Sequence, residues 1–379
     1  MPSSTSSSEI DYRQVPDRPW GQIALGIVLV VAMAMTGWEI LARRMQHLPG
    51  SYGYHRDAMW AYERGKLDGE DHGIRLVIAG SSRILFASDL DIMEQRTGTR
   101  PLQLAIEGTG PALYVKDVVE NTDFDGLILV GVTPFLFNRL DEGFLGDGAL
   151  AWQAGVGPSK WTDWKLHNVL AERFGFIDTA FDLPALLEHY TYEWLPVREG
   201  AVNLQADSEW KLGDHFADRQ TDMWAPIESP ESFDNAQILA FWTPGLMRPK
   251  PTPERLAQIT DEAIAFLAPV QATLRARGGD LVFVRMPGRG LYQEFASVAN
   301  YDELAWKPFI EGLGAVGINS MEYPELSDDL DIPEWSHLSR ASQDLWSVRL
   351  FDVLEPLYQA ERGRGLGDVL GTSPAATSK

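Results

Sequence analysis

The sequence predicts an α/β chain built on a parallel sheet and carried behind one transmembrane helix. Three observations predict it: an uninterrupted apolar run near the N-terminus, short apolar stretches that alternate with helical patterns, and a long aromatic-rich break in that alternation. The chain has 379 residues, 45% of them hydrophobic, which is ample for a buried core. A formal net charge of -22 argues against a nucleic-acid partner, because tracking phosphates requires a basic face. With no cysteine, the chain has no disulfide, no thiolate nucleophile and no cysteine-ligated metal.

Residues 1–18, rich in Ser, Pro and Asp, read as a disordered leader. Residues 19–42 read as a transmembrane anchor: no charge interrupts Pro19 to Trp38, and Trp20 and Trp38 stand at the two ends like interface anchors. A cleaved signal peptide is the rival; the run is long for one, begins well inside the chain and lacks a small-residue cleavage site, so an uncleaved anchor is favoured. Arg13 and Arg18 precede the segment and Arg43 and Arg44 follow it, so basic residues alone do not set its orientation. Residues 43–72 read as a helical neck.

The sheet begins at 74–79, where Ile74-Arg75-Leu76-Val77-Ile78-Ala79 precedes Gly80-Ser81-Ser82. A short helix through Leu90, Ile92 and Met93 ends near Gly98, and 101–106 reads as a second strand. Glu107 to Pro111 turns into a helix over 112–120, and 126–132 is a third buried strand. Strand, helix, strand, helix, strand implies right-handed crossovers and a parallel sheet.

From about 141 to 248 the alternation fails. Seven tryptophans (Trp152, Trp161, Trp164, Trp194, Trp210, Trp224 and Trp242) and frequent Gly and Pro mark an irregular insertion or lid, with one helix around 166–174. Most of those indoles are expected to be buried and to hold the insert together, although exposed ones can stack on sugars. Alternation resumes with a helix from Thr252-Pro253 to Gly278-Gly279, bent at Pro269, and a strand at 281–284 ending on Arg285. A helix over 303–313, a strand at 315–320 and a helix over 340–359 complete the domain, and 361–379 reads as a flexible tail.

Ser82 stands where a strand's carboxyl end meets a glycine turn, the usual place for ligands in open α/β sheets. On its own a Gly-x-Ser turn is a helix cap. What raises Ser82 above that is the loop Asp331-Ile332-Pro333-Glu334-Trp335-Ser336-His337 before the last helix. A serine nucleophile needs a base, and the imidazole needs a carboxylate to fix its tautomer. His337 with Glu334, or Asp331, supplies both; His189 beside Glu188 is the second candidate.

In order along the chain, these pieces resemble the SGNH, or GDSL-like, hydrolase superfamily over residues 73–360, with the insertion outside the resemblance. The first block matches at Gly80-Ser81-Ser82, the second at Ala105-Ile106-Glu107-Gly108-Thr109 and the fourth at Glu334-Trp335-Ser336-His337. The third, usually Gly-x-Asn-Asp, is Gly131-Val132-Thr133-Pro134 here, which puts Thr133 where an asparagine donor is expected, with Asn138 a more distant substitute. The resemblance implies a flavodoxin-like three-layer sandwich. It implies a Ser82 nucleophile, His337 as base, Glu334 or Asp331 as the acid, an oxyanion hole from Ser82, Gly108 and Thr133, and no cofactor or metal.

The single anchor, the Gly-Ser-Ser block and the altered third block look most like the membrane-anchored proteins of alginate O-acetylation and teichoic-acid alanylation. That similarity implies a single pass through the inner (cytoplasmic) membrane, a periplasmic domain and partnership with a multi-spanning O-acyltransferase, without fixing the substrate; the insert's tryptophans favour a carbohydrate. The expected function is therefore a serine esterase or O-acyltransferase. A non-catalytic scaffolding subunit is the alternative, and Arg43-Arg44 keep a cytoplasm-facing hydrolase as a remoter one.

Overall fold

A computed structural model of the chain describes residues 18–45, 56–69, 72–134, 136, 140, 148–181, 183, 185–186 and 211–372. Strands β1 (Leu76–Ala79), β2 (Leu102–Gln103), β3 (Leu127–Val132), β6 (Asp280–Arg285) and β7 (Val316–Asn319) form one parallel sheet in the order β2-β1-β3-β6-β7. Strands β4 (Gly213–His215) and β5 (Thr221–Met223) form a separate antiparallel ribbon. The order of the five-stranded sheet is that of a doubly wound fold, with the chain reversing direction across the sheet between β1 and β3.

Both faces of the sheet are buried, and alternate residues of each strand serve opposite layers. Val77, Ala79, Ile128, Val130, Leu281 and Phe283 face one core, covered by helices Ala112–Asn121, Pro253–Ala276 and Lys307–Leu313. Leu76, Ile78, Leu127, Leu129, Val282 and Val284 face the other, covered by helices Leu90–Thr97 and Arg340–Arg362. Helix Pro253–Ala276 starts where expected because the Thr252 hydroxyl accepts from Arg255 N. Its end at Gly278 takes φ +96, a backbone that favours glycine.

One helix, Trp20–Met45, is long and apolar enough to cross a membrane, with a mean hydropathy of 2.1 in its most apolar stretch and no burial there. Its C-terminal end is not free. Trp38 Nε1 donates to Phe181 O at 2.7 Å and its ring packs at a tilt against Phe176, Ala42 packs against Phe181 and Leu186, and Trp224 Nε1 donates to Met45 O at 3.2 Å. The helix extends three residues beyond the expected anchor end at 42.

Several expectations differ from the structure. Within the expected neck, helix Arg56–Gly65 belongs to the body: Trp60 is fully buried, donates to Leu104 O at 3.1 Å, and packs in the core with Tyr114. Arg64 of that helix pairs with Asp117 on helix Ala112–Asn121. The tail is not loose throughout, since helix Leu366–Leu370 buries Leu366, Val369 and Leu370 against the second core and Arg75 Nη2 donates to Val369 O. The helix expected around 166–174 is present but runs earlier, over Pro158–Ala171, and the insertion also holds regular structure that short, Gly- and Pro-rich sequence concealed, namely the β4–β5 ribbon and helix Phe233–Leu246. Helix Gly290–Val298 was not expected at all.

Candidate active site

The turn after β1 is forced by glycine. Gly80 has φ +147, and a Cβ there would stand 2.5 Å from Ile84 Cγ2 and 2.8 Å from Gly131 O. Gly131 is bare for the same reason, because a Cβ on it would meet Ile84 at 2.4 Å. The close approach of β1 and β3 at this point brings two adjacent serines to the sheet's carboxyl edge with different surroundings. Ser81 is buried and its Oγ shares a 2.6 Å hydrogen bond with Thr133 Oγ1. Ser82 opens the short helix Ser82–Leu85, is half-buried, and its Oγ has no hydrogen bond among the described residues.

The loop before helix Arg340–Arg362 meets this turn. Arg83 Nε donates to Ser336 Oγ at 3.2 Å, and the Phe86 ring, one helical turn beyond Ser82, lies 4.7 Å from the His337 ring. Trp335 takes φ +74, a left-handed kink that turns the loop back so that Glu334 reaches His337. His337 Nδ1 lies 2.9 Å from Glu334 Oε1, which also accepts from the His337 backbone N–H. Glu334 Oε2 accepts from Trp242 Nε1 at 2.7 Å. Glu334 and His337 are 0% and 1% exposed, so both oxygens of a fully buried carboxylate are satisfied.

That arrangement fixes the imidazole. Burial by itself pushes the Glu334 carboxyl up, but His337, Trp242 and the backbone N–H together hold it below the ordinary carboxylate value. An ionised Glu334 accepts the Nδ1 proton and leaves Nε2 as the basic nitrogen. His337 Nε2 is a buried ring nitrogen with no hydrogen-bond partner among the described residues, on a loop joined to the serine turn.

The structure places the other expected residues as follows. Asp331 is exposed; its backbone holds the loop, with N–H accepted by Ser342 Oγ at 2.7 Å and carbonyl accepting from Ser339 N, and its carboxylate makes no bond to His337. Of the two acids, Glu334 is therefore the one in contact. Gly108, with φ +66, lies in the turn that follows Ile106, whose N–H donates to Gly80 O. The N–H groups of Ser82 and Gly108 donate to no acceptor among the described residues, which leaves both available to an oxyanion. Thr133 is buried and its hydroxyl is engaged by Ser81 rather than open. Asn138 and His189 lie outside the described residues.

Three site residues were not anticipated. Trp242 comes from the insertion, and nothing in its spacing marks it out from the other tryptophans. Phe86 reads as an ordinary core residue. Arg83 carried a signal, since a charged residue directly after Ser82 in a buried turn asks for a partner. No protein-family model, no curated protein and no solved structure matches this chain.

Proposed function

We propose that this protein is a membrane-anchored serine esterase or O-acyltransferase of the SGNH type, acting on an acylated carbohydrate of the cell envelope or one being exported. The observation that carries the reading is the buried Glu334–His337 pair with an unpartnered Nε2 beside the Ser82 turn. Ser82 Oγ attacks the ester carbonyl carbon and its proton passes to His337 Nε2. The carbonyl oxygen, now an anion, is met by the Ser82 and Gly108 N–H groups. The carbon–oxygen bond to the leaving alcohol breaks, the alcohol takes the proton from Nε2, and an acyl-serine remains. Water, or a sugar hydroxyl, then gives its proton to Nε2 and attacks the acyl carbon, the bond from that carbon to Ser82 Oγ breaks, and Oγ takes the proton back from Nε2. In free enzymes the bond between nucleophile and base is often open and closes only in the complex, which accommodates an Nε2 not yet bonded to Ser82. Helix Trp20–Met45 is the anchor in this reading, the domain faces the periplasm, and a multi-spanning O-acyltransferase is its partner.

The test uses the full chain in detergent micelles with p-nitrophenyl acetate and a fluorophosphonate probe. Turnover, and labelling of Ser82 that is lost in Ser82→Ala and His337→Ala, is the expected result. Absence of both rejects the reading.

A second reading is a non-catalytic, polysaccharide-binding subunit. It is favoured by the Ser81–Thr133 hydrogen bond, which takes the third oxyanion donor out of use. Polymer binding that is unchanged in Ser82→Ala, with no labelling of the wild type, selects it.

A further inference from the structure

We propose that the pocket beside Ser82 recognises an oxyanion group, a carboxylate or a phosphate, on the molecule it binds, and that Arg83 is the residue that holds it. The proposal rests on the reading of Ser82 above only for the statement that this molecule is the substrate.

A guanidinium taken out of water needs a carboxylate or a full set of acceptors. The other buried arginines have one or the other. Arg64 pairs with Asp117 and Asp68, and Arg285 pairs with Asp302 and donates to Asn319 Oδ1. Arg219 has no carboxylate, yet Nε, Nη1 and Nη2 each donate to a backbone carbonyl, those of Gln103, Arg56 and Ala105.

Arg83, 4% exposed, is different. Nε donates to Ser336 Oγ at 3.2 Å, Nη1 makes a long 3.5 Å contact to Pro287 O, and the group lies over the Tyr292 ring at 4.5 Å. No carboxylate pairs with it, and Nη2 has no acceptor, among the described residues. Three of its five N–H groups are thus left over.

Those donors border a pocket lined by Arg83, Arg285, Pro134, Gly288, Tyr292 and Met321. Pro134 directly follows Thr133, which is bonded to Ser81, so this pocket adjoins the serine turn. Gly288 leaves the guanidinium its space, because a Cβ there would stand 3.0 Å from Nη1. Burial, and to a lesser degree Arg285, lower Arg83 to about 10 while Tyr292 and the Glu334 carboxylate act against them, so it stays charged at neutral pH. Asp302 pairs with Arg285, and Glu334 is engaged by His337 and Trp242, so the Arg83 guanidinium reaches the pocket wall with no carboxylate at ion-pair distance among the described residues. A strut tying Ser336 to Pro287 would use Nε and Nη1 but would give no role to Nη2; an anion with two oxygens uses the remaining donors.

The experiment compares 4-acetoxybenzoate with its methyl ester as substrates for the full chain in detergent micelles. The expected kcat/KM ratio, anion over neutral ester, is about 10 or more in the wild type and falls to about 1 in Arg83→Gln, with Arg83→Lys between them. The ratio is read whatever the absolute rates, so a general loss of activity does not imitate it. A wild-type ratio near 1, or a ratio unchanged in Arg83→Gln, overturns the proposal. Should neither ester react, the esterase reading fails while the anion site is still decided: benzoate or inorganic phosphate raising the thermal midpoint of the wild type but not of Arg83→Gln supports it, and no rise with either overturns it. The anion that acts distinguishes carboxylate from phosphate, and neutral benzamide serves as the control. Where Arg83→Gln does not fold, Arg83→Lys and the wild-type ratio carry the decision.

Discussion

The Phe86 ring packs against two imidazoles from different parts of the chain, and their surroundings are opposite. His337, at 4.7 Å, has Glu334 on Nδ1. His215 of the β4–β5 ribbon, at 6.4 Å, has the Thr221 hydroxyl on Nδ1 and the cations Lys211 and Arg219 nearby. Burial first, then those two cations, lower His215 to about 3, so it is neutral at any physiological pH. Both rings pack against one aromatic wall, His337 buried and His215 half-buried, and what sets them apart is the Glu334 carboxylate on His337 Nδ1 against the Lys211 and Arg219 cations near His215. The difference teaches that a base is made by its neighbours rather than by residue type or burial.

The sharpest way to break the comparison is to remove the carboxylate. Glu334→Gln is expected to lower the acylation rate of Ser82 by about 1,000-fold or more, as loss of the orienting acid does in serine hydrolases generally. His215→Gln should change it less than about threefold, measured by stopped-flow fluorophosphonate labelling. Equal effects would abolish the distinction. Phe86→Ala removes the shared wall and is expected to cost about 3–5 kcal/mol of stability in denaturant unfolding, because the ring is also packed where a Cβ on Gly213 would stand 2.7 Å away. Trp242→Phe leaves one Glu334 oxygen without its donor and is expected to reduce turnover by about 10-fold, with stability falling by about 1–3 kcal/mol.

The smallest effect is on pH. A histidine whose folded value lies below its unfolded value binds more protons when unfolded, so His215 contributes stability that is present at neutral pH and lost as pH falls from about 6.5 toward about 3. Glu334, held low in the folded state, acts in the same direction in the acid range. The thermal midpoint is expected to drop by a few degrees between pH 7 and pH 5, and His215→Gln should flatten that slope. A midpoint that rises on acidification would reverse the assignment.

What could be read from the sequence was what depends on local pattern. The strands at Leu76–Ala79, Leu127–Val132 and Asp280–Arg285 were legible because residues buried on both faces form continuous apolar runs. The Glu334–His337 contact was legible because three residues of loop can close on themselves. Strand β2 was overestimated, at two residues instead of six, because its ladder bonds continue through Leu104 and Ile106 without regular strand geometry. Trp242 and Arg83 were not assigned to the site because their partners lie far along the chain, 92 residues for Trp242–Glu334 and 253 for Arg83–Ser336. The buried fate of helix Arg56–Gly65 was hidden for the same reason, since Trp60 bonds to Leu104 across 44 residues.

The docked end of helix Trp20–Met45 has a consequence for how this molecule meets its surroundings. Trp38 and Met45 are hydrogen-bonded to the body through Phe181 and Trp224, which ties the C-terminal end of the apolar helix to the α/β body. If that helix is the membrane anchor proposed above, this docking sets the altitude of the Ser82 turn above the lipid. Shortening the joint at Met45 or severing Trp38 from Phe181 would change where the body can reach without touching any residue of its pocket.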